Sequence, residues 1–374
     1  MNKTYPFLDL KDATAPVRAE LIEAVTRVID SGTYVGGDEC RSFEANLATL
    51  TGTDHCVGVS NGLDALQLIL RAYMAMGRLS EGDEVIVPAN TYIATVLAIT
   101  NAGLTPVFAE PDASTFNLDW TAVEQLLTPR TKAVMTVHLY GRVAWHEAIA
   151  QRLVDKGLLI IEDNAQAIGA VTHSGRMTGS LGHAAAFSFY PTKNIGALGD
   201  AGAVTTNDAR LAATVRALAN YGSDRRYHNT LRGFNCRLDP LQAAVLNVKL
   251  RHLDDETRHR REIAAVYSGA IVNPAVTLPA PAGADMVWHQ YTVTTEWRDS
   301  FTEWLDKNGV GWDIHYPVPP HLQPCYADRY GHLRLPITER IARTIVSLPV
   351  SRTTSVADAA RIADIINRFE PPAQ

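Results

Sequence analysis

Cysteine is scarce: Cys40, Cys56, Cys236 and Cys325 stand far apart in 374 residues. There is no CxxC pair and no Cys/His cluster, so neither a disulfide framework nor a metal site is expected, and the cytoplasm is the expected compartment. Each cysteine is expected to be a small buried apolar side chain. No stretch approaches the roughly 20 apolar residues of a membrane span. The opening, MNKTYPFLDLKDATAPV, lacks the apolar core of a secretory signal. No block of like charge occurs, and 34 Lys and Arg against 40 Asp and Glu give a formal net charge of -6. That balance offers no electrostatic footprint for nucleic acid. Internal repeats and low-complexity segments are also missing.

What remains is an ordinary globular composition, 46% hydrophobic and 20% charged. The length exceeds what one core usually holds, so a large domain over 1–248 and a smaller one over 249–374 are expected. Short apolar runs recur between helical patterns: HCVGVS (55–60), DEVIVP (83–88), LTPVFAE (104–110), KAVMTVHLY (132–140), GLLIIED (157–163), AAAFSFY (184–190) and AGAVTT (201–206). Runs this short and this apolar, bounded by Gly, Pro or Asp, read as strands covered on both faces. Alternation with helices predicts an α/β fold with a mostly parallel sheet flanked by helices. Residues 238–270 read as one long helix, with Asp239 as N-cap and Pro240 at its first position. Beyond it, 287–295 reads as a strand, 298–309 as a helix, and 310–322 as an extended segment held by three prolines.

Ligands of such sheets bind at the carboxyl ends of the strands. There the sequence places Asp163, Ser188 and Lys193, the turn Ser60–Asn61–Gly62 before a helix starting near Leu63, and Tyr92 after the strand at 83–88. A helix N-terminus offers free N–H groups to an anion. A lysine buried at a strand end loses its proton more readily and becomes a nucleophile. Tyr92 can stack on a flat ring, and Asp163 can pair with a protonated ring nitrogen. Pyridoxal phosphate needs this set: an imine-forming lysine, an acidic partner for the pyridinium, and an anchored phosphate.

The order of these segments resembles the DegT/DnrJ/EryC1/StrS family, pyridoxal-phosphate sugar aminotransferases with the type I, aspartate aminotransferase-like fold. The resemblance runs through PFLDL (6–10), SGTYVGG (31–37), SNGLDAL, PANTYIAT, VHLYG, IEDNAQAIGA and GFNCRLDPLQAAVLNVKL, and is most specific from Gly179 to Thr206. It implies that Lys193 forms the imine with the cofactor and then moves the proton, and that Asp163 keeps the pyridinium protonated. Gln166 is implied to contact the ring hydroxyl and Tyr92 to stack on the ring. Gly62 and Leu63 are implied to hold the phosphate through backbone N–H groups, helped by Ser188. Asn235 is implied to reach the phosphate of the neighbouring subunit, which makes the protein a homodimer with shared sites. The fold implied is a large cofactor domain with a smaller C-terminal α+β domain. Leu63 stands where many members carry Thr or Ser, and Arg142–Val143 where Gln-Pro is frequent, a change expected to reshape the pocket rim.

The segment from 287 to 327 resembles the subgroup acting on dTDP-linked 3-keto-6-deoxyhexoses. The implied reaction moves the amino group of L-glutamate, by way of pyridoxamine 5′-phosphate, to C3 of the sugar, a step in O-antigen and related deoxyaminosugar biosynthesis. Tyr190, Tyr221, His315, Tyr316 and His321 are the candidate sugar contacts. Transamination at C4 of a 4-keto sugar is the nearest alternative. A non-catalytic regulatory protein that binds cofactor and sugar is the alternative from another class. A dehydratase is disfavoured because Lys193 is present.

Overall fold

Seven apolar segments assemble into one sheet in the computed structural model, which describes residues 5–372. The strands are β1 (His55–Val59), β2 (Glu84–Pro88), β3 (Thr105–Ala109), β4 (Thr131–Val137), β5 (Leu159–Asp163), β6 (Ala184–Ser188) and β7 (Gly202–Thr206). Their spatial order is β1-β7-β6-β5-β4-β2-β3. The pairs β6–β5, β5–β4, β4–β2 and β2–β3 are parallel. β7 runs antiparallel to both of its neighbours.

The near-continuous hydrophobicity of the strands follows from burial on two faces. Val85 and Val87 of β2 pack into the cluster built on helix Gly62–Ala75, while Ile86 between them joins Ile149 and Leu153 on the opposite face. Phe187 of β6 packs on Phe43 and Leu246 of helices Asp38–Thr51 and Pro240–Leu250. Successive strand side chains point to opposite faces, so both faces must be apolar wherever helices cover both.

The segment 238–270 is two helices, not one. Pro240–Leu250 ends at Arg251, and Leu253–Ala270 begins after His252. Asp239 is the N-cap residue and Pro240 opens the first helix, but no side-chain cap bond forms. At the break, both Arg251 (2.8 Å) and His252 (3.0 Å) bind the Glu20 carboxylate from helix Arg18–Ser31. No Gly or Pro marks this corner, so the sequence alone gives no sign of it.

A second core gathers Tyr267, Phe301 and Ile362 around β10 (Tyr291–Thr294) and β11 (Ile345–Leu348), which are antiparallel. Val137, Leu139 and Tyr140, at the end of β4, belong to this same core. It thereby joins the sheet at the carboxyl ends of the strands. Ser223–Arg225 (β8) and His228–Asn229 (β9) form a small exposed hairpin. Among the described residues no helix is long and apolar enough to cross a membrane. Cys40 and Cys56 are buried and Cys236 is half-buried, but Cys325 is exposed, contrary to its expected place in a core.

Candidate active site

The site grows from the ends of β1, β5 and β6. After β1 the chain turns at Asn61, whose side-chain oxygen accepts from the Asp64 N–H at 2.8 Å and caps helix Gly62–Ala75. The N–H groups of Gly62 and Leu63 have no hydrogen-bond partner among the described residues, as befits the first turn of a helix. Gly62 presses on the end of β6: a Cβ there would lie 2.6 Å from Ser188 Cβ. Two free N–H groups and the Ser188 hydroxyl therefore line one end of the site, at the positive end of the helix.

Asp163 ends β5 and is 7% exposed. Its Oδ2 accepts from the Thr95 hydroxyl at 2.8 Å and its Oδ1 from the Ala165 N–H at 3.1 Å. Burial pushes this carboxyl above its ordinary range, against the pull of those hydrogen bonds and of the Lys193 and His138 charges. Such a carboxylate calls for a cation beside it.

Lys193 lies in the turn after β6, where its N–H donates to the Tyr190 carbonyl at 2.8 Å. The side chain is half-buried and its amine has no ion partner among the described residues. Burial pushes the amine down to about 8, with the negative charge of Asp163 opposing. Burial at the end of the strand thus favours the neutral, nucleophilic form of the amine.

Gln166 is pinned at both ends: its oxygen accepts from the Tyr140 N–H at 2.6 Å, and its nitrogen donates to the Tyr316 hydroxyl at 3.0 Å. One N–H of that amide remains free. The Tyr92 and Tyr316 rings lie 5.2 Å apart, centroid to centroid. Tyr140, held at φ 59°, donates its hydroxyl to the His315 carbonyl. His315 in turn pairs with the Ser347 hydroxyl at 2.8 Å, and burial holds its imidazole below the ordinary value.

Lys193, Asp163, Gly62, Leu63, Tyr92, Gln166, Ser188, Tyr190, His315 and Tyr316 all line one cavity of about 460 Å³. Asn235 and Tyr221 do not reach it. Asn235 is exposed on the chain before helix Pro240–Leu250, and its side chain makes no hydrogen bond among the described residues. Tyr221 is 51% exposed, with the Arg237 guanidinium 5.5 Å from its ring centre.

His321 is fully enclosed, against Phe108 of β3 and 3.6 Å from Glu339, outside the cavity. The proline-rich segment carries it away from Tyr316 into the space beside β3. Arg142 is likewise not on the rim. It is buried, and binds the carbonyls of Ala280 (2.5 Å) and Pro281 (3.2 Å), tying down the connection between the two cores.

The structure adds Thr95, Asn194 and His289 to the site. Thr95 lies in the first turn of helix Ile93–Asn101, which Tyr92 precedes as the N-cap residue, and is fully buried. His289 is a histidine inside the segment 287–295 that reads as a strand, which was the available signal. His138 and Glu162 form a fully enclosed pair behind Asp163. Glu162 accepts from His138 Nε2 at 2.9 Å and from the Gly179, Leu181 and Gly182 N–H groups at 2.8–2.9 Å.

The DegT/DnrJ/EryC1/StrS aminotransferase family matches residues 16–367. The chain belongs to this family. As a member of the DegT/DnrJ/EryC1/StrS family it is an enzyme, an aminotransferase. It is 47% identical to the dTDP-3-amino-3,6-dideoxy-alpha-D-galactopyranose transaminase of Aneurinibacillus thermoaerophilus, over 97% of this chain and 99% of that one. It is 46% identical to the dTDP-3-amino-3,4,6-trideoxy-alpha-D-glucose transaminase of Streptomyces venezuelae, over 97% and 96% of the two chains. The crystal structure of S. venezuelae DesV in complex with a ketimine intermediate superposes with a TM-score of 0.93 at 46% identity, covering 97% of this chain and 98% of that one. This family membership fits the α/β architecture with its mostly parallel seven-stranded sheet.

Proposed function

We propose that this aminotransferase uses pyridoxal 5′-phosphate, and pyridoxamine 5′-phosphate as its amino-bearing form, to aminate C3 of a dTDP-3-keto-6-deoxyhexose. The donor is L-glutamate and the product a dTDP-3-amino-3,6-dideoxyhexose. The observation that carries the reading is the pair formed by a half-buried lysine of lowered proton affinity and a buried carboxyl of raised proton affinity, lining one cavity. A pyridinium would supply an ion partner for Asp163, which has none among the described residues, and Gly62, Leu63 and Ser188 would supply the donors that a phosphate needs. The residues fit the cofactor.

When bound, pyridoxal phosphate supplies the carbonyl that takes up the amino group and the ring that draws electrons from the reacting carbon. Lys193 Nζ, with about a tenth of it neutral at pH 7, accepts and returns the proton at that carbon. Asp163, held by Thr95, would pair with the ring nitrogen and hold its proton. Tyr92 would stack on the ring, and the free N–H of Gln166 would be available to the ring hydroxyl. His315, Tyr316 and Tyr190 line the same cavity and offer polar groups to sugar hydroxyls. Asn235 and Tyr221, exposed and outside the cavity, are available to a second copy, which supports a homodimer with shared sites.

The C3 assignment leans on the two curated relatives, whose names both record a 3-amino sugar. The test offers the loaded enzyme L-glutamate with the 3-keto sugar nucleotide or its 4-keto isomer. Expected are one 2-oxoglutarate and one amino sugar per turnover with the 3-keto compound. Turnover of the 4-keto compound alone would overturn the position of amination.

A further inference from the structure

His289 lines the cavity with Lys193 and is 5% exposed. Its Nδ1 lies 3.0 Å from Asn194 Oδ1. The side-chain nitrogen of Asn194 donates to the Val287 carbonyl at 3.3 Å, which fixes the orientation of the amide. Asn194 therefore presents only an acceptor to the ring, and Nδ1 must carry the imidazole proton. Nε2 makes no hydrogen bond among the described residues and keeps its lone pair.

The charged and titratable groups facing this ring are Lys193 from the turn after β6, Arg260 from helix Leu253–Ala270, and His315 from the extended segment. Arg260 also donates to the carbonyls of Trp288 (3.3 Å) and His289 (3.4 Å). None of these groups is acidic. Burial and those positive charges hold His289 well below the ordinary histidine value, so the ring stays neutral.

Asn194 follows Lys193 directly. Among the described residues, the Asn194 side chain ties the Lys193 turn to the segment before β10 by two hydrogen bonds, one to Val287 and one to His289. We propose that His289, through its hydrogen bond to Asn194, fixes the half-buried placement of the Lys193 side chain and is a positioning residue for the transamination. The inference rests on Lys193 being the reacting lysine. Leucine at 289 would leave Asn194 Oδ1 buried without a donor, and the turn would relax toward water. The amine would then regain hydration and hold its proton more tightly. Besides His289, Asp163 and His315 interact electrostatically with Lys193, and Lys249, His252, Glu256 and Arg260 line a second cavity with it; none of these side chains bonds to Asn194 among the described residues.

The test uses full-length cofactor-free protein. The rate of acylation of Lys193 is followed against pH by peptide mass spectrometry. The half-point of the profile, unlike its amplitude, reports the proton affinity of the amine. The wild-type half-point is expected near 8. His289→Leu should move it up by about one pH unit. His289→Asn, whose amide nitrogen can take the place of Nδ1, should restore it. His289→Gln, which puts its nitrogen toward the Nε2 position, should shift as leucine does and stands in if the leucine variant does not fold. An unchanged half-point in a folded Leu or Gln variant overturns the proposal, as does an Asn variant that shifts as far as they do. A wild-type half-point at the ordinary lysine value overturns the reading of Lys193 itself, and the proposal with it.

Discussion

The Thr95 hydroxyl donates to Oδ2 of Asp163 across 2.8 Å, and the Thr91 hydroxyl lies 2.8 Å behind it. Thr95 has one proton and gives it to the carboxylate, so Thr91 is the donor to Thr95. The two threonines form a short chain that favours the charged form of a carboxyl which burial pushes toward neutrality. Thr95→Val removes this support without changing the shape of the side chain. Affinity for pyridoxal phosphate should fall about tenfold, in line with the worth of a hydrogen bond to a charged group. An absorbance titration of cofactor-free protein measures it. An unchanged affinity would mean that the Ala165 N–H alone supports Asp163.

Lys193 gives stability a pH dependence of definite sign. Its amine in the folded chain sits near 8, below the 10.5 of an exposed lysine. Between those values the unfolded chain binds more protons, so the cofactor-free protein should gain stability as pH rises from 8 to 10. Below 8 the cost of burying the charge is constant. The gain should be about 1–2 kcal/mol, allowing for the partial exposure of the amine. Urea midpoints at pH 7.5, 9 and 10 should show the rise in the wild type and lose it in Lys193→Met. Parallel curves for the two proteins would contradict the lowered value.

Gly62 is glycine because the helix start touches β6. In Gly62→Ala the added methyl meets Ser188 Cβ at 2.6 Å, so either the turn or the strand end must move. A loss of about 2 kcal/mol is expected, with weaker phosphate binding. Gly269→Ala, in open space within helix Leu253–Ala270, is the control and should be neutral or slightly stabilising. Equal melting temperatures for the two variants would show that the contact with Ser188 yields freely.

The proposed sharing of sites between two copies makes a complementation test available. Asn235→Asp should weaken cofactor binding by charge repulsion in the partner's site, and Lys193→Ala should abolish turnover. In a mixed dimer one site keeps both Lys193 and Asn235. Refolding the two variants together should return about a quarter of wild-type activity, since about half the dimers are mixed and each has one working site. No recovery in mixed dimers purified by tag would remove Asn235 from the neighbouring site.

Much of this was legible in the chain because burial writes itself into composition. Val85, Ile86 and Val87 announce a strand covered on both faces. The residues at the carboxyl ends of such strands, Asp163, Ser188 and Lys193, were then the places to look. The direction of β7 was not legible, because an apolar run records burial and not polarity of the chain. The corner at Arg251–His252 depends on Glu20, more than 200 residues away in sequence. The partnership of Thr95 with Asp163 crosses 68 residues, and that of His289 with Asn194 crosses 95.

The sequence by itself determined the strands, the glycine turn before the helix, and the identity of the groups able to bind phosphate, pair with a ring nitrogen and form an imine. These depend on local periodicity and on side-chain chemistry. Only the tertiary structure decided which of the candidates meet. It brought His315 and Tyr316 to the cavity and carried His321, five residues beyond Tyr316, into the wall beside Phe108. It also lowered the proton affinity of Lys193 and enclosed Asp163. Desolvation is a property of everything packed around a group, and that surrounding is assembled from the whole chain.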